Sequence, residues 1–160
     1  MHHRRVTNAR LTALELQFLT ASRRAVLVTV DPDGLPRPVP ICHVVKDGAS
    51  PVLYTPIDEK PKSSGGPAAL ARVRDIVVRP EVVVMVDRWD EDWAMLGWLR
   101  VHGHAELREP GPATDADFAR VVPALRAKYP QYRDHALEER PLIRIALGRA
   151  RSWGRLEGPS

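Results

Sequence analysis

The stretch WLRVHGHAELR, residues 98–108, alternates between apolar and polar positions over its whole length. One side carries Leu99, Val101, Gly103, Ala105 and Leu107, and the other carries Trp98, Arg100, His102, His104 and Glu106. Because successive side chains of a strand point to opposite faces, the pattern predicts a long strand with one core face and one polar face. Such alternation is typical of antiparallel sheets that are covered on one side only.

Further strands are predicted on both sides of this stretch. AVLVTV and RPVPICHVV flank the turn DPDGLP, residues 31–36, whose Pro, Asp and Gly residues are typical of a hairpin. The prolines of RPVPICHVV predict that this second strand is bent or lies at a sheet edge. VLYT predicts a third strand, EVVVMVD a strand buried on both faces, and PLIRIALGRARSW a final alternating strand. We therefore expect six strands.

Three helices are predicted between these strands. LTALEL has Thr12 and Glu15 at the spacing of a capping box, which predicts the start of a helix. AALARVRDIVVRP places Leu70, Val73 and Val77 on one apolar stripe. TDADFARVVPALRAKYP begins with Thr114 and Asp117 at capping spacing. Short helices and hairpin-length turns favour an α+β, mainly β domain: a six-stranded antiparallel barrel with peripheral helices.

Composition limits the class of protein further. A chain of 160 residues is about one domain long, and we expect a single domain with its core over about residues 10–155. The single cysteine allows no internal disulfide, and the six histidines lack the spacing of a zinc site, so no metal is expected. The sequence has neither a secretory signal nor an apolar run of about 18 residues, which predicts a cytoplasmic protein with no membrane partner. Its net charge of +4 attracts anions in general.

The stretch TPIDEKPKS, residues 55–63, has the composition of a phosphate site. The hydroxyl of Thr55, the ammonium groups of Lys60 and Lys62 and the hydroxyl of Ser63 could converge on one phosphate. The alternative is a solvated charged loop, although two prolines stiffen it.

Several stretches in their order along the chain resemble one known family. VTVDPDGLPRPVPICHVV, LYTPIDEKPKS, LARVRDIVVRPEVVVMVDRWDEDW and WLRVHGHAEL are together similar to pyridoxamine 5'-phosphate oxidase-like split β-barrel proteins. Within that family they most resemble the branch that uses the deazaflavin coenzyme F420. The resemblance implies a six-stranded split β-barrel that forms a homodimer, with the cofactor between the two subunits.

The resemblance also implies which residues hold the cofactor. Its phosphate would contact Thr55, Lys60 and Lys62, with Pro56, Ile57 and Ser63 of the same stretch around it. Its ring would lie against Val39, Pro40, Ile41 and Cys42. Trp98 and Arg100 of the partner subunit would close the site.

The function implied is an oxidoreductase that passes hydride from reduced F420 to a small organic acceptor. FMN in place of F420, and a carrier that binds cofactor without turnover, are the alternatives. A nucleic-acid partner is not expected, because aromatic residues are not interleaved with basic ones along the strands.

Three other features allow both a chemical and a structural interpretation. The acidic segment DRWDEDW, residues 87–93, could bind a metal or could be a surface loop whose tryptophans lie at an interface. His102 and His104 could be ligands or part of a polar surface. Cys42 could be a nucleophile or a half-buried strand residue. In each case no complete ligand or catalytic set accompanies the residues, which favours the structural interpretation.

Overall fold

The computed structural model describes residues 10–57 and 70–158. In this part of the chain seven antiparallel strands form one sheet in the order β2-β1-β5-β6-β7-β4-β3. The strands are β1 (Ala25–Val30), β2 (Pro36–Ile41), β3 (Val44–Lys46), β4 (Val52–Pro56), β5 (Glu81–Arg88), β6 (Gly97–Arg108) and β7 (Leu142–Gly154). The helices are α1 (Ala13–Ala21), α2 (Ala71–Val78) and α3 (Asp115–Lys128).

The sheet is curled because its two edge strands are neighbours in sequence. β2 and β3 are the opposite edges of the sheet, yet only Cys42 and His43 lie between them in the chain. So short a link requires the edges to approach each other, which closes the sheet into a barrel. We call the region around this link the seam. Buried apolar side chains from β1, β4, β5, β6 and β7, with others from α1 and α2, fill the interior.

The long alternating strand is confirmed as β6, at the centre of the sheet. Leu99, Val101 and Ala105 are buried in the core, whereas Arg100 and His102 are exposed on the outer face. Gly103 is required by close packing, because a Cβ here would lie 2.5 Å from Cγ2 of Ile145. The register between β6 and β7 shifts between Val101 and Gly103, which marks a β-bulge.

The expected strand count of six is wrong by one. RPVPICHVV, predicted as one strand, is divided into β2 and β3. The division occurs at His43, whose backbone N–H donates to the Tyr129 hydroxyl at 3.0 Å and whose ring Nε2 donates to the Leu19 carbonyl at 2.9 Å. The backbone N–H of His43 is therefore bonded to a side chain and is not available to a neighbouring strand. The strand ends at this point for that reason.

The prediction that EVVVMVD is buried on both faces is also wrong. Val82, Val84 and Val86 of β5 are buried, but Met85 is 39% exposed and Asp87 is exposed. The helices pack elsewhere: α2 against β1 and β6, and α3 mainly against β3. A run of valines shows that a strand is apolar, but not that a second layer covers its outer face.

The helix predictions are confirmed in position and corrected in detail. The capping box of α1 is present, with Glu15 N–H donating to Thr12 Oγ1 at 3.1 Å. In α2 the predicted stripe is wrong, because Val77 is 70% exposed while Asp75 and Ile76 are buried beside Val73. No side-chain capping bond forms at the N-terminus of α3, where the Thr114 hydroxyl donates instead to the carbonyls of Glu109 and Gly111.

A second core cluster lies outside the barrel, under α3. Val52 and Tyr54 on the outer face of β4 pack with Phe118, Val122 and Leu125 of that helix. Because Leu53 and Ile57 fill the barrel interior, β4 is buried on both faces. Within the described residues, no helix combines the length and apolar character needed to cross a membrane.

Candidate functional site

The seam brings two of the predicted cofactor segments together. β3 pairs with β4 in a register that sets Val44 opposite Tyr54. Since only two residues separate β2 from β3, the end of β2 lies close to the end of β4, and Ile41 and Ile57 belong to the same core cluster. The segment predicted for the ring therefore lies close to residues 55–57, the described part of the segment predicted for the phosphate, at one end of the barrel.

The free edge of β2 presents carbonyl groups. Pro36, Pro38 and Pro40 lie opposite valines of β1 and alternate with Arg37, Val39 and Ile41. Proline is tolerated at such positions where its nitrogen faces away from the ladder. In an antiparallel strand the N–H and C=O of one residue point the same way, so these prolines direct carbonyls outward without N–H donors. This edge accepts hydrogen bonds but cannot pair normally with another strand.

Burial differs greatly among the predicted site residues of the seam. Pro40 is exposed and Val39 and Cys42 are half-buried, so this part of β2 is accessible to a ligand. Thr55 is only 2% exposed and Ile57 is fully buried, so their part in a phosphate site stays a prediction. Pro56 is also buried and Ile41 nearly so. Lys60, Lys62 and Ser63 lie outside the described residues.

Trp98 and Arg100 lie on the outer face of β6, away from the seam segments of the same chain. The cross-strand row that contains Pro40 of β2 continues through Val26 and Met85 to Arg100. At about 4.8 Å per strand, three strand spacings separate Pro40 from Arg100 by about 14 Å. One chain therefore does not bring these two groups into contact, whereas the predicted site assigns Trp98 and Arg100 to a second copy.

A polar network at the seam was missed by the sequence analysis. The Tyr129 hydroxyl donates to the carbonyl of Arg23 at 2.7 Å, and Lys128 Nζ donates to the carbonyls of Thr20 and Ser22 at 3.1 and 2.8 Å. Burial and the nearby Arg23 lower the pKa of Lys128 to about 8. The network ties the end of α3 to the end of α1. No motif could reveal it, because Lys128 and Tyr129 lie more than 80 residues along the chain from the groups that they contact.

The acidic segment after β5 is organised by its own backbone contacts. Asp90 accepts from the N–H of Asp92, and Asp92 accepts from the N–H of Ala94, which caps a short 3-10 turn. Trp89 and Trp93 are exposed. In residues 10–57 and 70–158, no group of three or more His, Cys, Asp or Glu side chains could hold a metal ion.

The curled antiparallel sheet, the seam and the peripheral helices define a split β-barrel. The family model for pyridoxamine 5'-phosphate oxidase matches residues 11–154, so the chain belongs to the pyridoxamine 5'-phosphate oxidase family. This confirms the resemblance found in the sequence. No curated protein matches the chain by sequence.

Solved structures share the fold at low sequence identity. An FAD-binding protein from Mesorhizobium loti has a TM-score of 0.63 at 23% identity, over 89% of this chain and 94% of that one. A structure described as F420 reductase has a TM-score of 0.57 at 22% identity, over 84% and 94%. The heme storage protein HutZ from Vibrio cholerae has a TM-score of 0.59 at 14% identity, over 91% and 95%. These likenesses concern the fold alone.

Proposed function

We propose that the protein is an F420-dependent oxidoreductase that acts on a small organic acceptor. The observation that carries this proposal is the carbonyl edge of β2 at the seam, near β4, the strand that precedes Lys60 and Lys62 in the chain. The rings of flavins and deazaflavins carry an imide N–H, and carbonyls directed outward by Pro38 and Pro40 would accept from it. The family, and the F420 reductase that shares the fold, support a redox cofactor of this kind.

In the proposed site each residue binds or orients the cofactor. Val39, Pro40, Ile41 and Cys42 would flank the ring, and Thr55, Lys60 and Lys62 would hold the phosphate with Pro56, Ile57 and Ser63. When bound, reduced F420 supplies a hydride. The side chains around it position the acceptor and exclude water, which is consistent with the lack of a catalytic triad among the motifs of this sequence.

The proposed site requires a homodimer, because two of its residues would come from a second copy of the chain. Exposed apolar side chains lie on the outer face of the barrel, at Met85 and Trp153, and in the β5–β6 connection, at Trp89 and Trp93. Such exposure is typical of a surface that a partner covers. Because Trp98 and Arg100 lie about three strand spacings from the seam, a second copy would bring its own Trp98 and Arg100 to the site.

The cofactor is tested by comparing F420 with FMN. F420 carries a phosphodiester and a glutamate tail, so we expect it to bind more tightly than FMN at low salt. The preference should shrink as salt is raised, because tail contacts with exposed arginines are screened beyond about 10 Å at about 0.1 M salt. Fluorescence titrations at two ionic strengths measure both dissociation constants. Equal or tighter binding of FMN at low salt would contradict the deazaflavin assignment.

The shared site is tested by mixing two defective variants. Lys60→Ala/Lys62→Ala removes the charges of the two predicted phosphate ligands, and each lost charge-assisted contact should weaken F420 binding about tenfold. Trp98→Ala/Arg100→Gln removes the groups assigned to the partner and should weaken binding in the same way. After the two variants are unfolded and refolded together, mixed dimers contain one intact site, so part of the tight binding should return. Failure of the mixture to regain tight binding would place all contacts within one chain.

A further inference from the structure

Two arginines face each other on the outer face of the barrel, and no acid in the described part of the chain forms an ion pair with either. Arg100 of β6 is directly opposite Arg151 of β7, and both are exposed. Like charges at directly opposed positions destabilise a sheet. Within residues 10–57 and 70–158, neither guanidinium group has a hydrogen bond or an ion pair with another side chain or carbonyl. The arrangement costs stability and leaves two sets of N–H donors available to an anion.

Two tryptophans occupy the adjoining pair of positions. Trp98 is directly opposite Trp153, and Trp153 is 56% exposed. Along each strand the tryptophan and the arginine are two residues apart, about 7 Å, and on the same face. The Cζ atom of Arg100 lies 5.9 Å from the centre of the Trp98 ring, which is cation–π geometry. Two aromatic side chains and two cationic ones thus form one four-residue patch, which we call the Trp-Arg patch.

The positive charge continues along the same face. His102 follows Arg100 on the same face of β6, and its pKa is lowered by partial desolvation and by the charges of Arg149 and Arg100. Arg149 lies in the β7 bulge opposite His102. The nearest acid in the neighbouring row is Asp87, which is opposite Trp98 rather than Arg100 and makes no ion pair with it among the described residues. The surface around the Trp-Arg patch therefore favours an anionic ligand.

We propose that the Trp-Arg patch binds a planar aromatic oxyanion, with its carboxylate or phosphate between Arg100 and Arg151 and its ring against Trp98 and Trp153. Guanidinium groups bind carboxylate and phosphate with paired hydrogen bonds, and tryptophan offers a flat apolar surface to a ring. Given the proposed function, on which this part rests, the ligand is the acceptor: a planar organic acid bound next to the cofactor of the neighbouring subunit. Arg151 and Trp153 then determine substrate specificity.

Binding is tested with simple probes on the full chain without cofactor. Isothermal titration calorimetry uses three probes: 2-naphthoate, 2-naphthyl phosphate and neutral 2-naphthylmethanol. The comparison distinguishes binding of the carboxylate or the phosphate from binding of the aromatic ring alone. We expect one or both anions to bind at least tenfold more tightly than the alcohol. Arg151→Gln should weaken anion binding about tenfold. Arg133→Gln, an exposed arginine in the turn Pro130–Asp134, is the matched control and should have no effect.

A charge reversal separates binding from folding. Arg151→Glu sets a carboxylate opposite Arg100, so this variant should lose anion binding while its thermal stability stays equal or rises. Equal binding of the anions and the alcohol by the wild type, or anion binding that survives Arg151→Glu, would overturn the inference. F420 titrations of the same variants distinguish this proposal from the proposed function. If Arg151→Gln weakens F420 binding but not naphthoate binding, the Trp-Arg patch binds the cofactor and the acceptor proposal fails. Loss of naphthoate binding with unchanged F420 binding supports it.

Discussion

Replacement of Arg37 by methionine is expected to lower the free energy of unfolding by about 3 kcal/mol, although the Arg37 side chain is 43% exposed. Its Nε donates to Oδ2 of Asp75 at 2.9 Å, and Asp75 is only 2% exposed. The other side-chain contact of that oxygen is the buried Thr29 hydroxyl, at 2.7 Å. Among the residues that the structure describes, Arg37 is the cation paired with Asp75, so its loss leaves a buried carboxylate without this partner. Removal of one member of a buried ion pair costs about 3–5 kcal/mol. Because Arg37 is partly exposed, we expect a loss of stability at the lower end of this range.

Chemical denaturation of three variants measures this effect. Arg24→Met changes an exposed arginine near the start of β1 and should alter stability by no more than about 0.5 kcal/mol. Arg37→Met/Asp75→Asn removes both charges and keeps an acceptor for Thr29, so most of the lost stability should return. If Arg37→Met is no more destabilising than Arg24→Met, the ion pair does not hold α2 to the β1–β2 hairpin.

Acidification is expected to destabilise the protein by about 3 kcal/mol through His43 alone. Burial and the charge of Lys128 lower the pKa of His43 from 6.5 to about 4. The unfolded chain takes up a proton near pH 6.5, whereas the folded chain resists protonation until about pH 4. The unfolded state therefore binds more protons in this window, so stability is complete above about pH 6.5 and falls as the pH decreases toward 4. At about 1.36 kcal/mol per pH unit, the total loss is about 3 kcal/mol.

The test compares the pH dependence of variants rather than their stability at one pH. His43→Gln keeps a side-chain donor for the Leu19 carbonyl but cannot titrate, so its stability should change by about 3 kcal/mol less between pH 7.5 and 4. His104→Gln replaces an exposed histidine of β6 and is the control for removal of an imidazole at the surface. A His43→Gln profile parallel to that of the wild type would show that other groups cause the acid sensitivity.

Sequence patterns predicted which side chains lie on the outer face of the barrel but not which of them are neighbours. The alternation of residues 98–108 correctly predicted which side chains of β6 point inward. It could not show that Arg100 lies opposite Arg151, because that pairing depends on the register between β6 and β7, which are separated by α3 in the chain, and on a bulge between them. Likewise, the valines of β5 predicted a strand but not the exposed face at Met85.

The sequence by itself determined the class of elements, their order and the family, because these depend on local polarity patterns, turn residues and capping pairs. Thr12 with Glu15, and the alternation in β6, are confirmed in the structure. Only the tertiary structure decided that the strand through Cys42 and His43 divides, that Asp75 and His43 are buried, and that two arginines face each other. These features depend on contacts between distant segments, where burial and register set the electrostatic energy of each group. Neither burial nor register can be read from the sequence alone, because both arise only when the sheet has formed.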